Sequence, residues 1–377
     1  MPEREPTPVR CPAISHPETG LADPADFDAL LARLDDAAPV CSTEDFPRGT
    51  LQPDGRVDLC KQGVGPLQVG RVVQTAVRSA HPVHLLLGTN GLGAEGARAV
   101  ADALTPGHRV QTVYLGCNRI DAAGVQALAD RIADDQGVRA LWLKRNPIGD
   151  DGVARLCSAL IGNTALRTLD LVNTGLSVHG LRLLAATLAA RETKLERLFL
   201  GGNGLGPAAV SALSEIITTG GVRELYLAAN HLGDTGAIAL GEAAAAHPMT
   251  LGLGGNGITP AGAAGLAGLM SRWVALDLAR PPSERALGAT SNVVGDDGAA
   301  ALAEALPGSD LRRLDLRYTA ITGRGVKLLL TASEASRLDY LGLSGGVPRR
   351  LKRLATSTLG PAAPAHPDIR AIASVYR

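Results

Sequence analysis

Residues 141–160 read LWLKRNPIGDDGVARLCSAL. Leu141 and Leu143 alternate with Trp142, the two-residue period of a half-buried strand. Asn146 follows three residues after Leu143, and Ile148 two residues after that. From Gly152 onward the apolar positions take helical spacing, with Leu156 and Leu160 on one face. The unit is a short strand, a turn and a helix.

The same unit recurs along most of the chain. Its asparagine position is filled by Gln62, Asn90, Asn118, Asn146, Thr174, Asn203, Asn230, Asn256, Asn292, Thr319 and Gly346. Most steps are 26 to 29 residues, and a fixed period in that range is the mark of a solenoid. Six residues past the reference position stand Gly96, Gly124, Gly152, Gly180, Ala209, Gly236, Gly262, Gly298 and Gly325. A small residue there would let neighbouring helices approach closely.

The pattern LxLxxN-x-[LI], then G, then LxxxL, seen in Leu225, Leu227, Asn230, Leu232, Gly236 and Leu240, resembles the leucine-rich-repeat family. The resemblance is to its long-repeat branch, typified by the ribonuclease inhibitor, and runs from about residue 57 to 346. It implies an α/β fold, a right-handed leucine-rich-repeat solenoid shaped as a horseshoe or arc. A parallel sheet would line its concave face and helices its convex face, because helices pack 8–10 Å apart and strands ~4.8 Å apart. Parallel sheets are commonly covered on both faces and then read as continuous apolar runs. These strands alternate, so one face is expected to stay open.

Composition is consistent with one elongated domain. The chain has 377 residues, 45% of them apolar, and equal numbers of basic and acidic side chains. Zero formal charge argues against a phosphate-driven nucleic-acid binder. No apolar run approaches the ~18 residues that span a bilayer, and MPEREPTPVRCPA carries no apolar secretory core. Five cysteines at irregular spacing read as reduced thiols in a cytoplasm.

The organisation expected is a Pro- and Asp-rich cap over residues 1–50, repeats over 51–346 and a C-terminal cap or tail over 347–377. A helix around residues 24–34 would present Leu30, Leu31 and Leu34, and cover the first repeat. Asp121, Ser177, Thr259 and Thr322 stand where helix N-caps belong. The reference asparagine, able to donate and accept, would satisfy backbone groups left unpaired as the chain leaves each strand. Residues 281–291 interrupt the rhythm, delaying the asparagine to Asn292, and read as a tolerated surface insertion or a rim loop. Arg349, Arg350, Lys352 and Arg353 read as the basic face of a capping helix. Ile369 and Ile372 suggest a short terminal helix that folds back.

The residue between the two strand leucines should face the open side. That row runs Asp58, Leu86, Tyr114, Trp142, Asp170, Phe199, Tyr226, Gly252, Asp277, Asp315 and Gly342. The chain has only ten aromatic residues (two Trp, five Tyr, three Phe), yet four stand in this row, with Gly88, Gly116, Gly201 and Ala228 as small neighbours. Aromatic anchors beside charge are what protein interfaces concentrate. The candidate partner-binding residues are therefore Tyr114, Trp142, Lys144, Arg145, Asp170, Arg197, Phe199, Glu224 and Tyr226.

No catalytic, cofactor or metal residues are expected. The eight histidines lack a matched carboxylate or nucleophile spacing, and no GxxxxGK[ST], HExxH or GxSxG occurs. Cys11, His16, Cys41 and Cys60 lack the knuckle spacing of a zinc site. The reading is a non-catalytic module that binds another protein, without nucleic acid, membrane or cofactor. The resemblance also brings two alternatives, a regulator of a small GTPase and a ribonuclease inhibitor.

Overall fold

A computed structural model describes residues 5–10, 20–282, 285–344, 346–359 and 364–375. Two compact units are formed: an N-terminal unit, Val9–Leu195 with the chain from Ala365 onward, and a C-terminal unit, Glu196–Pro364 with Met1–Pro8.

The N-terminal unit begins with a 3-10 turn, Pro24–Phe27, that leads into α1 (Asp28–Asp35) and buries Phe27, Leu30, Leu31 and Leu34. Then β1 (Glu44–Asp45), β2 (Thr50–Leu51) and β3 (Arg56–Asp58) pair antiparallel in succession. From β3 the repeats take over: α2 (Gly65–Arg78), β4 (His84–Leu86), α3 (Gly93–Ala103), β5 (Thr112–Tyr114), α4 (Ala122–Ala133), β6 (Ala140–Trp142), α5 (Gly149–Gly162), β7 (Thr168–Asp170) and α6 (Val178–Ala190). Strands β3 to β7 are parallel and in register, Val57, Leu85, Val113, Leu141 and Leu169 standing side by side. These residues are fully buried and face the helices.

The C-terminal unit continues the pattern with β8 (Arg197–Phe199), α7 (Val210–Thr218), β9 (Glu224–Tyr226), α8 (Gly233–Ala244), β10 (Thr250–Gly252), α9 (Pro260–Ala267), β11 (Ala275–Asp277), α10 (Gly295–Ala305), β12 (Arg313–Asp315), α11 (Gly323–Ser333), β13 (Tyr340–Gly342) and α12 (Arg349–Leu359). Its strands are parallel, with Leu198, Leu225, Leu251, Leu276, Leu314 and Leu341 aligned. On α12, Leu351 and Ala355 are buried while Arg349, Arg350 and Arg353 are exposed. The last helix, α13 (Pro367–Ala371), belongs to the N-terminal unit. Each unit is thus a stretch of α/β solenoid with an open, not closed, sheet.

The reference asparagines hold the turns. Asn146 Nδ2 donates to the carbonyl of Leu143 at 2.9 Å and to that of Leu115, one repeat back, at 3.0 Å. Its Oδ1 accepts from the backbone of Asn118 at 2.9 Å and Ile120 at 3.0 Å. Asn90, Asn118, Asn230 and Asn256 repeat the donor half. At Thr174 and Thr319 a hydroxyl donates to its own strand's carbonyl, Leu171 at 3.0 Å and Leu316 at 2.7 Å. The residue just before the asparagine is left-handed at Thr89, Cys117, Arg145, Asn173 and Ala229, because the chain must reverse sharply there. The insertion leaves this ladder intact. Asn292 still donates to Leu278, fourteen residues back, at 3.0 Å and to Leu253 at 2.9 Å.

Helix starts carry a second ladder. Ser177, Thr259 and Thr322 cap their own helices, and each is held by an aspartate of the preceding repeat. Asp234 accepts from Thr259 N–H at 2.8 Å, and Asp296 from Thr322 N–H at 2.8 Å. Asp150 does the same for Ser177.

The recurrent spacing of small residues between helices has a steric cause. A Cβ on Gly124 would stand 2.9 Å from Ala94 Cα, whereas one on Gly162 would meet nothing within 4 Å. Gly124→Ala should therefore lower stability by about 1–2 kcal/mol, the clash exceeding the ~1 kcal/mol gained in helix propensity. Gly162→Ala should raise it by a few tenths, about 0.5 kcal/mol. Urea unfolding of the two variants distinguishes them. Asn146→Ala, which strands four buried backbone groups, is expected to cost about 3 kcal/mol or more in the same assay, and Asn146→Thr less.

Candidate functional site

Within each strand, residues flanking the central leucine point away from the helices. In the N-terminal unit this face is not open. Leu86, Trp142 and Asp170 are completely buried and Tyr114 is 2% exposed. Thr112, Ala140 and Thr168 are also buried. The cover includes the chain's own C-terminal segment. The Thr168 hydroxyl on β7 donates to Asp368 at 2.7 Å, and the Ser374 hydroxyl donates to Asp58 on β3 at 2.7 Å. Ala371 and Ile372, between those anchors, are buried. The expectation of an uncovered row is thus corrected for Tyr114, Trp142 and Asp170. Alternation sets the face a side chain takes, but not what else packs on that face.

Burial gives this covered row unusual electrostatics. Lys144 Nζ stands 5.7 Å from the centre of the Tyr114 ring. Desolvation lowers the lysine to about 8, against the pull of Asp170. Burial raises Asp170 to about 6, with Lys144 opposing. Asp170 Oδ1 accepts from Val172 N–H at 2.8 Å, while its buried Oδ2 has no hydrogen bond among the described residues. Burial also pushes up the Tyr114 phenol and the Cys60 thiol. Arg145 is half-buried in the left-handed conformation, φ 56°.

In the C-terminal unit the corresponding face is accessible in part. Phe199 and Tyr226 stack with ring centres 4.3 Å apart and planes 5° from parallel, both half-buried. Glu224 accepts from the Tyr226 hydroxyl at 2.9 Å and pairs with the Arg197 guanidinium at 2.8 Å. Arg197 also pairs with Glu196 at 2.9 Å. Arg197, Phe199, Glu224 and Tyr226 are therefore one cluster on adjacent strands, as parallel register requires.

Further along the same face lie groups that were not selected from the sequence. Desolvation, then the charge of Asp315, raises Asp277 to about 6. Asp315 is gripped by Arg317, whose Nε stands 3.0 Å from each carboxylate oxygen. Arg313 lies 4.5 Å over Tyr340, and Arg280 lies 4.6 Å over Tyr318, which is 54% exposed. Tyr318 is left-handed in the position before Thr319, the same position as Arg145. That shared register position was the available signal.

Histidine holds one surprise. His108 Nε2 stands 2.7 Å from Asp135, although no sequence spacing paired them. Both side chains are at most 2% exposed, and Val110 N–H donates to His108 Nδ1, so the pair serves as internal bracing. Among the described residues no group of three His, Cys, Asp or Glu could hold a metal ion, and Cys11 and His16 lie outside them. Cys41, Cys60 and Cys157 are free thiols. Cys117 is disulfide-bonded, which corrects the expectation that all five cysteines are reduced. Among the described residues no helix is long and apolar enough to cross a membrane.

Residues 110–129, 222–241 and 309–330 match the family described as Leucine Rich repeat. The ribonuclease inhibitor of Sus scrofa is 33% identical over 173 residues, 44% of this chain, and the chain spans 36% of that relative's length. Among solved structures, the complex of Rad7 and Elc1 in yeast aligns with a TM-score of 0.49 at 13% identity, over 77% of this chain and 70% of that one. Actin-binding site 2 of leiomodin-1 gives 0.33 at 17%, over 40% of this chain and 87% of that one. The tropomodulin C-terminal domain of Caenorhabditis elegans gives 0.27 at 16%, over 32% and 75%. The repeat geometry and the three matched segments show leucine-rich repeats, and over 173 residues the chain is similar to a ribonuclease inhibitor, a relative with repeats of the same long kind.

The buried carboxyl of Asp170 has a pH consequence. Its folded-state value, about 6, lies above the ordinary 3.8, so the folded chain binds the extra proton between those values. The stabilising contribution is complete below about pH 4 and is lost as pH rises through about 6. Urea unfolding of Asp170→Asn at pH 4, 5, 6 and 7 should lack this part of the decline that wild type shows.

Proposed function

We propose that this protein is a non-catalytic protein-binding module whose contact surface is the partly open sheet face of the C-terminal unit. The observation that carries the reading is the stacked Phe199–Tyr226 pair, braced by Glu224 and Arg197. Aromatic and arginine side chains already held in place lose little freedom on docking, and groups of this kind dominate interface energetics. Arg280 and Tyr318 extend the surface with an exposed cation–aromatic contact. In the N-terminal unit, Lys144 and Arg145 remain partly accessible, while Tyr114, Trp142 and Asp170 take no part as long as the terminal segment covers them.

The similarity to a ribonuclease inhibitor supports a second reading, inhibition of a ribonuclease. Titrating the protein into a ribonuclease assay tests it, and unchanged RNA cleavage at micromolar protein discards it.

For the first reading, a partner captured by the wild type is titrated against Tyr226→Ala and against Ile161→Ala, an exposed residue of α5. Tyr226→Ala should weaken binding by about 2 kcal/mol, roughly thirtyfold in Kd, with the fold unchanged by circular dichroism. Ile161→Ala should leave Kd unaltered. Equal affinity of Tyr226→Ala and wild type would dismiss this face.

A further inference from the structure

The C-terminal segment sits on its unit in a way that ordinary core does not. It is one short helix and a turn, and its backbone hydrogen bonds run within itself, from Ile369 to His366, Ala373 to Arg370 and Val375 to Ile372. Its ties to the sheet include two side-chain hydrogen bonds, Thr168 to Asp368 and Ser374 to Asp58, joining residues 200 and 316 positions apart. Among its described residues Ala371 and Ile372 are buried, Ile369 and Val375 are half-buried, and Arg370 and Ala373 remain exposed. Among the described residues this is little burial to set against the entropy of ordering the segment.

What lies on the covered face is equally unlike a core. Besides Leu86, the row holds Tyr114, Trp142 and Asp170, with Lys144 beside them. Asp170 is completely buried with one carboxylate oxygen lacking a hydrogen bond among the described residues. A surface evolved to stay closed would be expected to satisfy or replace that oxygen. His84, half-buried and 2.9 Å from the Thr112 hydroxyl, adds a polar edge on β4.

We propose that the sheet face over β3 to β7 is a second peptide-binding surface, held closed by the chain's own C-terminal segment. Its external ligand is a short helical peptide of matching chemistry. Such a peptide carries a carboxylate for Thr168, an aliphatic residue four positions later in the place of Ile372, and a hydroxyl two positions beyond that for Asp58. The tethered segment competes at an effective concentration of order millimolar, so it autoinhibits the face until a better ligand displaces it. This claim does not depend on the face of the C-terminal unit.

The test uses the full chain and a fluorescent synthetic peptide, AHPDIRAIASV, corresponding to residues 365–375. Fluorescence anisotropy compares wild type, Ile372→Asp, and Asp368→Asn/Ser374→Ala, the last of which retains every buried apolar atom. The peptide should bind Ile372→Asp at least tenfold more tightly than wild type, with a smaller gain for the double variant. A peptide carrying aspartate in place of the isoleucine that corresponds to Ile372 should not bind. Both tryptophans, Trp142 and Trp273, are fully buried in the closed protein. Acrylamide quenching should therefore rise in the variants and fall again when peptide is added. If Ile372→Asp loses its cooperative unfolding transition, the double variant decides alone. Peptide binding no tighter than wild type in the folded variants, or tryptophan still unquenched, overturns the proposal and makes the segment ordinary packing.

Discussion

A chain that leaves a buried strand and turns sharply exposes backbone N–H and C=O groups to an interior without water, and each must find a partner. Here an asparagine amide supplies them, two acceptors and two donors per site, bridging each turn to the repeat before it. Because three of the four bonds of Asn146 cross to the preceding repeat, the same side chain that completes one turn also sets its neighbour's register. Where threonine stands instead, the bond within the repeat survives. Parallel strand pairing through the central leucines continues across such positions, so the stack tolerates an occasional weaker clamp. The segment at residues 281–291 is tolerated for the same reason, since Asn292 reaches the place its predecessors occupy.

Once the turns are held, helix spacing follows from the small residues between helices, and the helix starts are fastened by Asp150, Asp234 and Asp296 to the next repeat's cap. One face of each sheet is consumed by helix packing, leaving the other available. The two units use that availability differently. In the C-terminal unit Phe199 and Tyr226 stay half-buried beside their charged braces. In the N-terminal unit the equivalent row is buried, with the terminal segment fastened to Thr168 and Asp58 on the same face, and desolvation shifts the titration of Lys144 and Asp170.

The scaffold was legible because its determinants are local. Leu141 and Leu143 declare a strand, Asn146 a turn and Leu156 with Leu160 a helix, each within a few residues. The same locality made the caps at Asp121, Ser177, Thr259 and Thr322 readable. The candidate surface was only partly legible. Arg197, Phe199, Glu224 and Tyr226 do form one cluster, because in-register parallel strands place equal repeat positions side by side. Tyr318 shares the register position of Arg145, but its contact with Arg280, like that of Arg313 with Tyr340, depends on side-chain reach across neighbouring strands and turns.

The amino-acid order by itself determined the repeating strand, turn and helix, and the face to which Tyr114 and Trp142 point, since both follow from the two periodicities of the backbone. Only the tertiary structure decided that this face would be covered, that His108 would meet Asp135, and that Ile372 would be buried. Those outcomes join parts of the chain with no shared periodicity, as in the 200-residue separation between Thr168 and Asp368. They depend on how surfaces meet once the repeats have stacked.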